Sequence, residues 1–173
     1  SAEALIDGAH EDPVMAKQFT GAIHRHAQRL TALISDLLDL SRLEGTGDAS
    51  ALESVDLQPL VDEVMDSLRS RADGRQQTLV SVVESGVWVY ADSGALTQVL
   101  TNLIENAIKY TQDGGEVAVG ARVDATRVFI EVRDNGPGIS EVHHSRIFER
   151  FYRVDPGRSR DMGGTGLGLS IVK

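Results

Sequence analysis

The chain has 173 residues, no cysteine, 41% hydrophobic and 25% charged residues, and a formal net charge of −9. Missing thiols exclude disulfides, thiolate metal sites and a cysteine nucleophile, while the acidic balance argues against a general electrostatic grip on nucleic acid or an anionic membrane. No apolar run approaches the roughly 20 residues that span a bilayer, and no basic start followed by an apolar block marks a secretory leader; one domain, or a small domain with a helical arm, is expected.

Residues 1–7 read as the tail of one helix and 8–12 as a turn. Asp12 before Pro13 marks the start of the next helix, an acidic cap with proline early in the first turn. From there to about Glu44, the residues Ile23, Ala27, Leu30, Ile34, Leu37 and Ser41 recur in alternating steps of four and three, the period of a helix packed along a seam. Leu33 and Leu40 widen the stripe toward a bundle. A helix cannot bury its own stripe, so this one needs a partner. Gly45 to Asp48 end it, dividing the chain into regions 1–47 and 48–173.

In the second region Val55–Leu57 reads as a short strand and Pro59–Ala72 as a helix with Leu60, Val61, Val64 and Leu68 inward. Thr78–Val83 and Val87–Ala91 are β-branched or aromatic and read as strands. Ala95–Tyr110 reads as a helix, Gly114-Gly115 as a turn, and Glu116–Val123 with Arg127–Arg133 as a strand pair. Helices and strands mix without strict alternation, which predicts a layered α+β sandwich rather than a doubly wound sheet.

Three clusters carry chemistry. Asn102, Asn106 and Lys109 fall on one helical face, with Glu105 at its edge. An amide oxygen suits a hard cation that completes its shell with water and phosphates, and a lysine one turn on suits a phosphate; a plain polar helix face accounts for the spacing equally well. Asp134-Asn135-Gly136-Pro137-Gly138 follows a strand, where an aspartate can accept from an exocyclic amine and glycines admit a ligand close to the backbone. A simple turn is the alternative. Gly163 to Leu169 form a glycine-rich loop before a helix start, a phosphate cradle by its N–H groups or else a linker, against which Leu167 and Leu169 argue. Walker and dinucleotide-binding fingerprints are absent. Between the last two clusters, Arg146–Arg153 is dense in aromatics and arginines.

In this order the clusters resemble the boxes of bacterial sensor histidine kinases, within the GHKL (Bergerat-fold) ATPases. Asn102 to Thr111 resemble the N box, Asp134 to Gly138 the G1 box, Ile147 to Arg153 the F box and Gly164 to Leu169 the G2 box; Asp36 to Glu44 resemble the second helix of the dimerisation and phosphotransfer domain. The resemblance implies an ATP-binding α/β sandwich, a mixed sheet with helices on one face, preceded by a helix of a dimeric four-helix bundle. It implies ATP and Mg²⁺ as ligands, with Asn106 on the metal, Asp134 on the adenine amine, and Gly136 and Gly138 shaping the base pocket. Lys109, Tyr110 and Arg153 would contact phosphate or ribose. Gly164, Thr165, Gly166, Leu167 and Gly168 would form the lid end and phosphate cradle, and Phe148 and Phe151 would pack the lid on the helical domain. Asn102 stands where hydrolysing relatives carry a glutamate base, and an amide cannot take a proton near neutral pH.

The family's acceptor string, a histidine followed by an acid and then arginine, proline and leucine, does not occur. His10 precedes a turn sequence, His26 lacks the acid, and His24, His143 and His144 are poorly placed. The expectation is therefore a kinase fragment without its acceptor, truncated also after Lys173. Its parent would phosphorylate a histidine and then a response-regulator aspartate from the cytoplasmic side of an inner membrane. The alternatives are a GHKL-type ATPase and a nucleotide-binding signalling module without kinase activity.

Overall fold

The computed structural model describes residues 3, 6, 12–44, 52–155 and 165–172, with backbone alone for 29, 32, 36, 37 and 39–44. The expected earlier helix and the chain break after Glu44 lie largely outside the described residues. Helix α1 (Pro13–Glu44) starts where Asp12 accepts from the N–H groups of Val14 at 2.8 Å and Met15 at 3.3 Å, the side-chain cap that satisfies otherwise orphaned donors. Its stripe residues Ile23, Leu30 and Ile34 are exposed, as expected of a seam that another helix must cover. No helix among the described residues is long and apolar enough to cross a membrane.

Strand β1 (Glu53–Asp56) runs antiparallel to β3 (Trp88–Ala91). Between them lie helix α2 (Leu57–Asp73) and strand β2 (Thr78–Val82). The sequence places Leu57 in a strand, but it is the first residue of α2. Its N–H still reaches the carbonyl of Val87 at 2.9 Å, so it continues the strand's bonding while its side chain is fully buried among the helices. Pro59 sits within the first turn, where a missing N–H costs no intrahelical bond.

Helix α3 (Ser93–Tyr110) leads to β4 (Glu116–Asp124) and β5 (Arg127–Asp134). Strand β2 pairs parallel with β4, and β4 antiparallel with β5, giving the order β2-β4-β5. Short helices α4 (Glu141–His144) and α5 (Gly168–Val172) complete the described elements. The mixed sheet and its helices match the expected α+β sandwich.

The core lies between α2, α3 and the sheet. Val61, Val64, Met65 and Leu68 of α2 meet Leu100, Ile104 and Ile108 of α3, with Val117 and Val119 of β4 beneath. Each such side chain contributes about 1.5–3 kcal/mol on burial. The other sheet face keeps Val82 and Phe129 exposed, with the Arg122 guanidinium 4.5 Å from the Phe129 ring centre. Asp92 caps α3, its carboxylate accepting from the Ala95 N–H at 2.8 Å. Replacing Asp92 by alanine is expected to lower stability by about 1 kcal/mol, read as a lower midpoint in denaturant at an unchanged slope.

Candidate functional site

Helix α3 has an inner and an outer edge, and the N-box residues lie along their border. Ile104, Ala107 and Ile108 are in the core, Asn102 is 8% exposed, and Asn106 and Lys109 are half-buried on the adjoining face. The four- and three-residue steps read from the sequence place all three together. Glu105 is directed elsewhere and pairs with Arg71 of α2, which separates it from that face. The Lys109 ammonium stands 5.2 Å from the ring centre of Tyr110, itself partly exposed.

The glycine-rich loop reaches this face from the far end of the chain. Helix α5 packs on α3 and also touches α1. A Cβ built on Gly168 would lie 3.4 Å from Asn102 Oδ1 and 3.6 Å from Asn106 Nδ2, so the start of α5 stands directly against both amides. The Nδ2 of Asn102 is buried with no hydrogen-bond partner among the described residues. Leu167 is buried beneath this junction and Thr165 Oγ1 accepts from the Leu167 N–H at 3.3 Å. Gly164 lies outside the described residues.

The G1 loop closes on the C-terminal end of α3, one turn beyond Asn106. Asp134 Oδ1 accepts from the Gly136 N–H at 2.8 Å, folding the loop over its own aspartate. A Cβ on Gly136 would stand 2.7 Å from that oxygen, 3.1 Å from the Tyr110 carbonyl and 3.4 Å from Thr111 Cα. Only a residue without a side chain lets the loop come this near to the helix end. Asn135 fixes the approach: its Oδ1 accepts from the Glu116 N–H at 2.9 Å, and its own N–H donates to the Glu116 carbonyl at 3.3 Å. Gly138 has φ +70°, a conformation that favours glycine.

Between the two loops the aromatic segment turns through Phe151, whose φ is +62°. Its N–H donates to the Gly166 carbonyl at 2.8 Å, and Arg153 donates to the Thr165 carbonyl at 3.1 Å. These bonds tie the segment to the start of α5. Phe148 and Phe151 are 40% and 62% exposed, and the loop of residues 156–164 that they would pack lies outside the described residues. Tyr152 is held from two sides, by His143 Nδ1 at 2.6 Å from its hydroxyl and by the Arg146 guanidinium 4.3 Å from its ring centre. A hydrogen bond and the charge of Glu149 raise the Arg146 pKa above its ordinary value. The two histidines thus have structural bonds, His144 through Nε2 to the Ile139 carbonyl at 2.9 Å.

Asn102, Asn106, Thr165, Leu167 and Gly168 are therefore gathered along the C-terminal half of α3, and Tyr110, Asp134 and Gly136 at its last turn. Lys109 stands on the same helix and Arg153 on the bridging segment. Asn135 was not singled out from the sequence, although an amide one residue after a strand-end aspartate is a known turn former. No cluster of three or more His, Asp or Glu side chains able to hold a metal occurs among the described residues, so a cation here would depend on an amide and on ligand oxygens.

Comparison with known proteins gives the same picture for both regions. Residues 91–173 match the family described as histidine kinase-, DNA gyrase B- and HSP90-like ATPase, and residues 1–46 match the His Kinase A (phospho-acceptor) domain. The sensor-like histidine kinase SenX3 of Mycolicibacterium smegmatis is 38% identical over 99% of this chain, which spans 44% of that protein. The chain thus spans less than half the length of such relatives. The solved mycobacterial sensor histidine kinase MprB is 31% identical, with a TM-score of 0.61 over 70% of this chain and 76% of that one. Full-length ShkA, solved in complex with AMPPNP, is 32% identical with a TM-score of 0.73 over 90% of this chain and 32% of its own. With both regions matched in order and the site's residues assembled as described, the chain belongs to the sensor histidine kinases of two-component signalling, with a GHKL-type catalytic domain.

Proposed function

We propose that this chain binds Mg·ATP between its N-box helix and its two glycine loops, as the catalytic part of a protein that passes the γ-phosphoryl to a histidine and then to a response-regulator aspartate. The observation that carries this reading is the convergence on α3. Gly168 seats the start of α5 against Asn102 and Asn106, and Gly136, folded onto Asp134, meets the end of α3 at Tyr110 and Thr111. The AMPPNP bound by ShkA, a protein of like fold, supports the same class of ligand.

The residues present fit that ligand. Asp134 has a carboxylate oxygen beyond the one used by Gly136 and would accept from the adenine amine. Asn106 would offer its amide oxygen to Mg²⁺, whose remaining positions fall to phosphates and water. When bound, Mg²⁺ neutralises charge on the phosphates. Lys109 would add a cation, and Arg153, braced on the Thr165 carbonyl, would present charge from the opposite side. Tyr110 would border the ribose, Thr165 and Gly166 would place N–H groups toward phosphate, and buried Leu167, its N–H on Thr165 Oγ1, would anchor that loop. Asn102 is buried and cannot deprotonate water, so transfer to a side chain is favoured over hydrolysis. The seam of α1 would pair with a second copy. The parent would work at the cytoplasmic face of a membrane.

The test is a calorimetric titration of the chain with AMPPNP, with and without Mg²⁺, followed by incubation with γ-labelled ATP. Saturable binding strengthened by Mg²⁺, no acid-labile label on the chain, and negligible steady-state phosphate release are expected. A cooperatively melting chain that binds no AMPPNP would overturn the nucleotide reading, and multiple-turnover phosphate release would favour an ATPase.

A further inference from the structure

The end of α3 that faces the G1 loop is held by side chains from a turn that none of the motifs includes. Helix termini leave their last carbonyls without intrahelical partners. Here the Ala107 carbonyl is taken by the Thr111 N–H at 2.9 Å. The next carbonyls are taken by two side chains from the turn between α2 and β2. Arg75 Nη1 donates to the carbonyls of Ile108 and, at 2.9 Å, Lys109, while its Nε bonds Asp113 at 2.9 Å. Gln77 is 5% exposed and directs its amide nitrogen at the carbonyls of Ile108 at 3.0 Å, Thr111 at 3.0 Å and Gln112 at 3.2 Å. A flipped amide would set its oxygen against three carbonyl oxygens, so the donors fix its orientation.

The turn itself is braced. Gln76 has φ +54°, the Gln77 N–H donates to the Ala72 carbonyl at 3.0 Å, and the Arg75 carbonyl accepts from the Gly114 N–H at 3.0 Å. The clamp is therefore fastened to α2 on one side and to the turn before β4 on the other. What it grips is the backbone of residues 108–112, and this is the backbone that Gly136 approaches so closely that a Cβ there would stand 3.1 Å from the Tyr110 carbonyl and 3.4 Å from Thr111 Cα.

We infer that Arg75 and Gln77 are positioning residues for nucleotide binding. Through the C-terminal end of α3 they set the separation between the N-box face and the Asp134 loop, and so the width of the base pocket. This rests on the nucleotide reading above and adds to it a control point outside every box. Neither side chain needs to touch the ligand. Removing the donors frees the end of α3, and the loop seated on it loses its stop.

The experiment compares Arg75→Gln, Arg75→Lys and Gln77→Leu with the unmodified chain. AMPPNP affinity is measured with Mg²⁺ present, at a temperature where melting curves show each variant fully folded, and backbone hydrogen exchange is followed at residues 108–112 and 134–138. Arg75→Gln and Gln77→Leu are expected to weaken AMPPNP about tenfold, the scale of one lost hydrogen bond to a placed group. Exchange should rise in both segments, and Arg75→Lys, which keeps a cation for the same carbonyls, should restore most of the affinity. Unchanged affinity in the folded variants would overturn the inference. So would a loss in Arg75→Gln that Arg75→Lys does not relieve, or exchange that rises evenly through the core. If the unmodified chain binds no AMPPNP, the nucleotide reading fails by itself, and coupled exchange at the two segments decides whether the clamp sets the loop.

Discussion

Asp134→Asn is expected to weaken Mg·AMPPNP binding about 100-fold, in line with loss of a hydrogen bond to a charged group, while the melting temperature stays close to that of the unmodified chain. The substitution keeps the shape of the loop. Its Oδ1 can still accept from the Gly136 N–H, the bond that folds residues 134–136. The second oxygen becomes an NH₂ group, and an amino donor then faces the donor of the adenine amine. Two donors cannot pair, and the base must leave its amine unsatisfied or shift. Calorimetric titration beside thermal melts separates this from unfolding. Equal affinity in the variant would show that Asp134 does not take the base.

Gly166→Ala is expected to cost about 30-fold in the same titration, the equivalent of about 2 kcal/mol. Gly166 has φ +80°, where a Cβ is strained, and that Cβ would stand 2.9 Å from Phe151 C and 3.0 Å from Phe151 Cα. The obstacle is backbone, so no side-chain rotation relieves it. The Phe151 N–H to Gly166 carbonyl bond must open, and with it the attachment of the aromatic segment to α5. The main core between α2, α3 and the sheet lacks this contact, so its exchange protection should persist. An alanine variant with full affinity would show that the clasp does not shape the site.

Regular spacing was readable in the sequence because it depends on local geometry. Asn102, Asn106 and Lys109 share a face through helix period alone, and Glu116–Val123 with Arg127–Arg133 announce a strand pair by composition. The box order then implied the fold. The Leu57 boundary was missed because that residue bonds like a strand through its N–H while beginning a helix. Arg75 and Gln77 were not readable either. They act on carbonyls more than thirty positions away, and a carbonyl carries no side-chain signature. The positive φ of Phe151 runs against the usual habit of bulky residues and has no signature in the local pattern.

The parallel pairing of β2 with β4, Thr78 opposite Glu116, has a consequence for the order of assembly. Parallel neighbours require a long crossover, and here β3 and α3 lie within it. Closing that length of chain costs entropy before any long-range contact returns it. A chain that has formed α2 and α3 but not this pairing has asparagines on a helix and no base pocket opposite them, since the loop at Asp134 is placed by β5 on β4. The nucleotide recognition proposed above would thus belong to the finished domain alone. A nucleotide that selects this state adds its binding free energy to the stability of the whole domain.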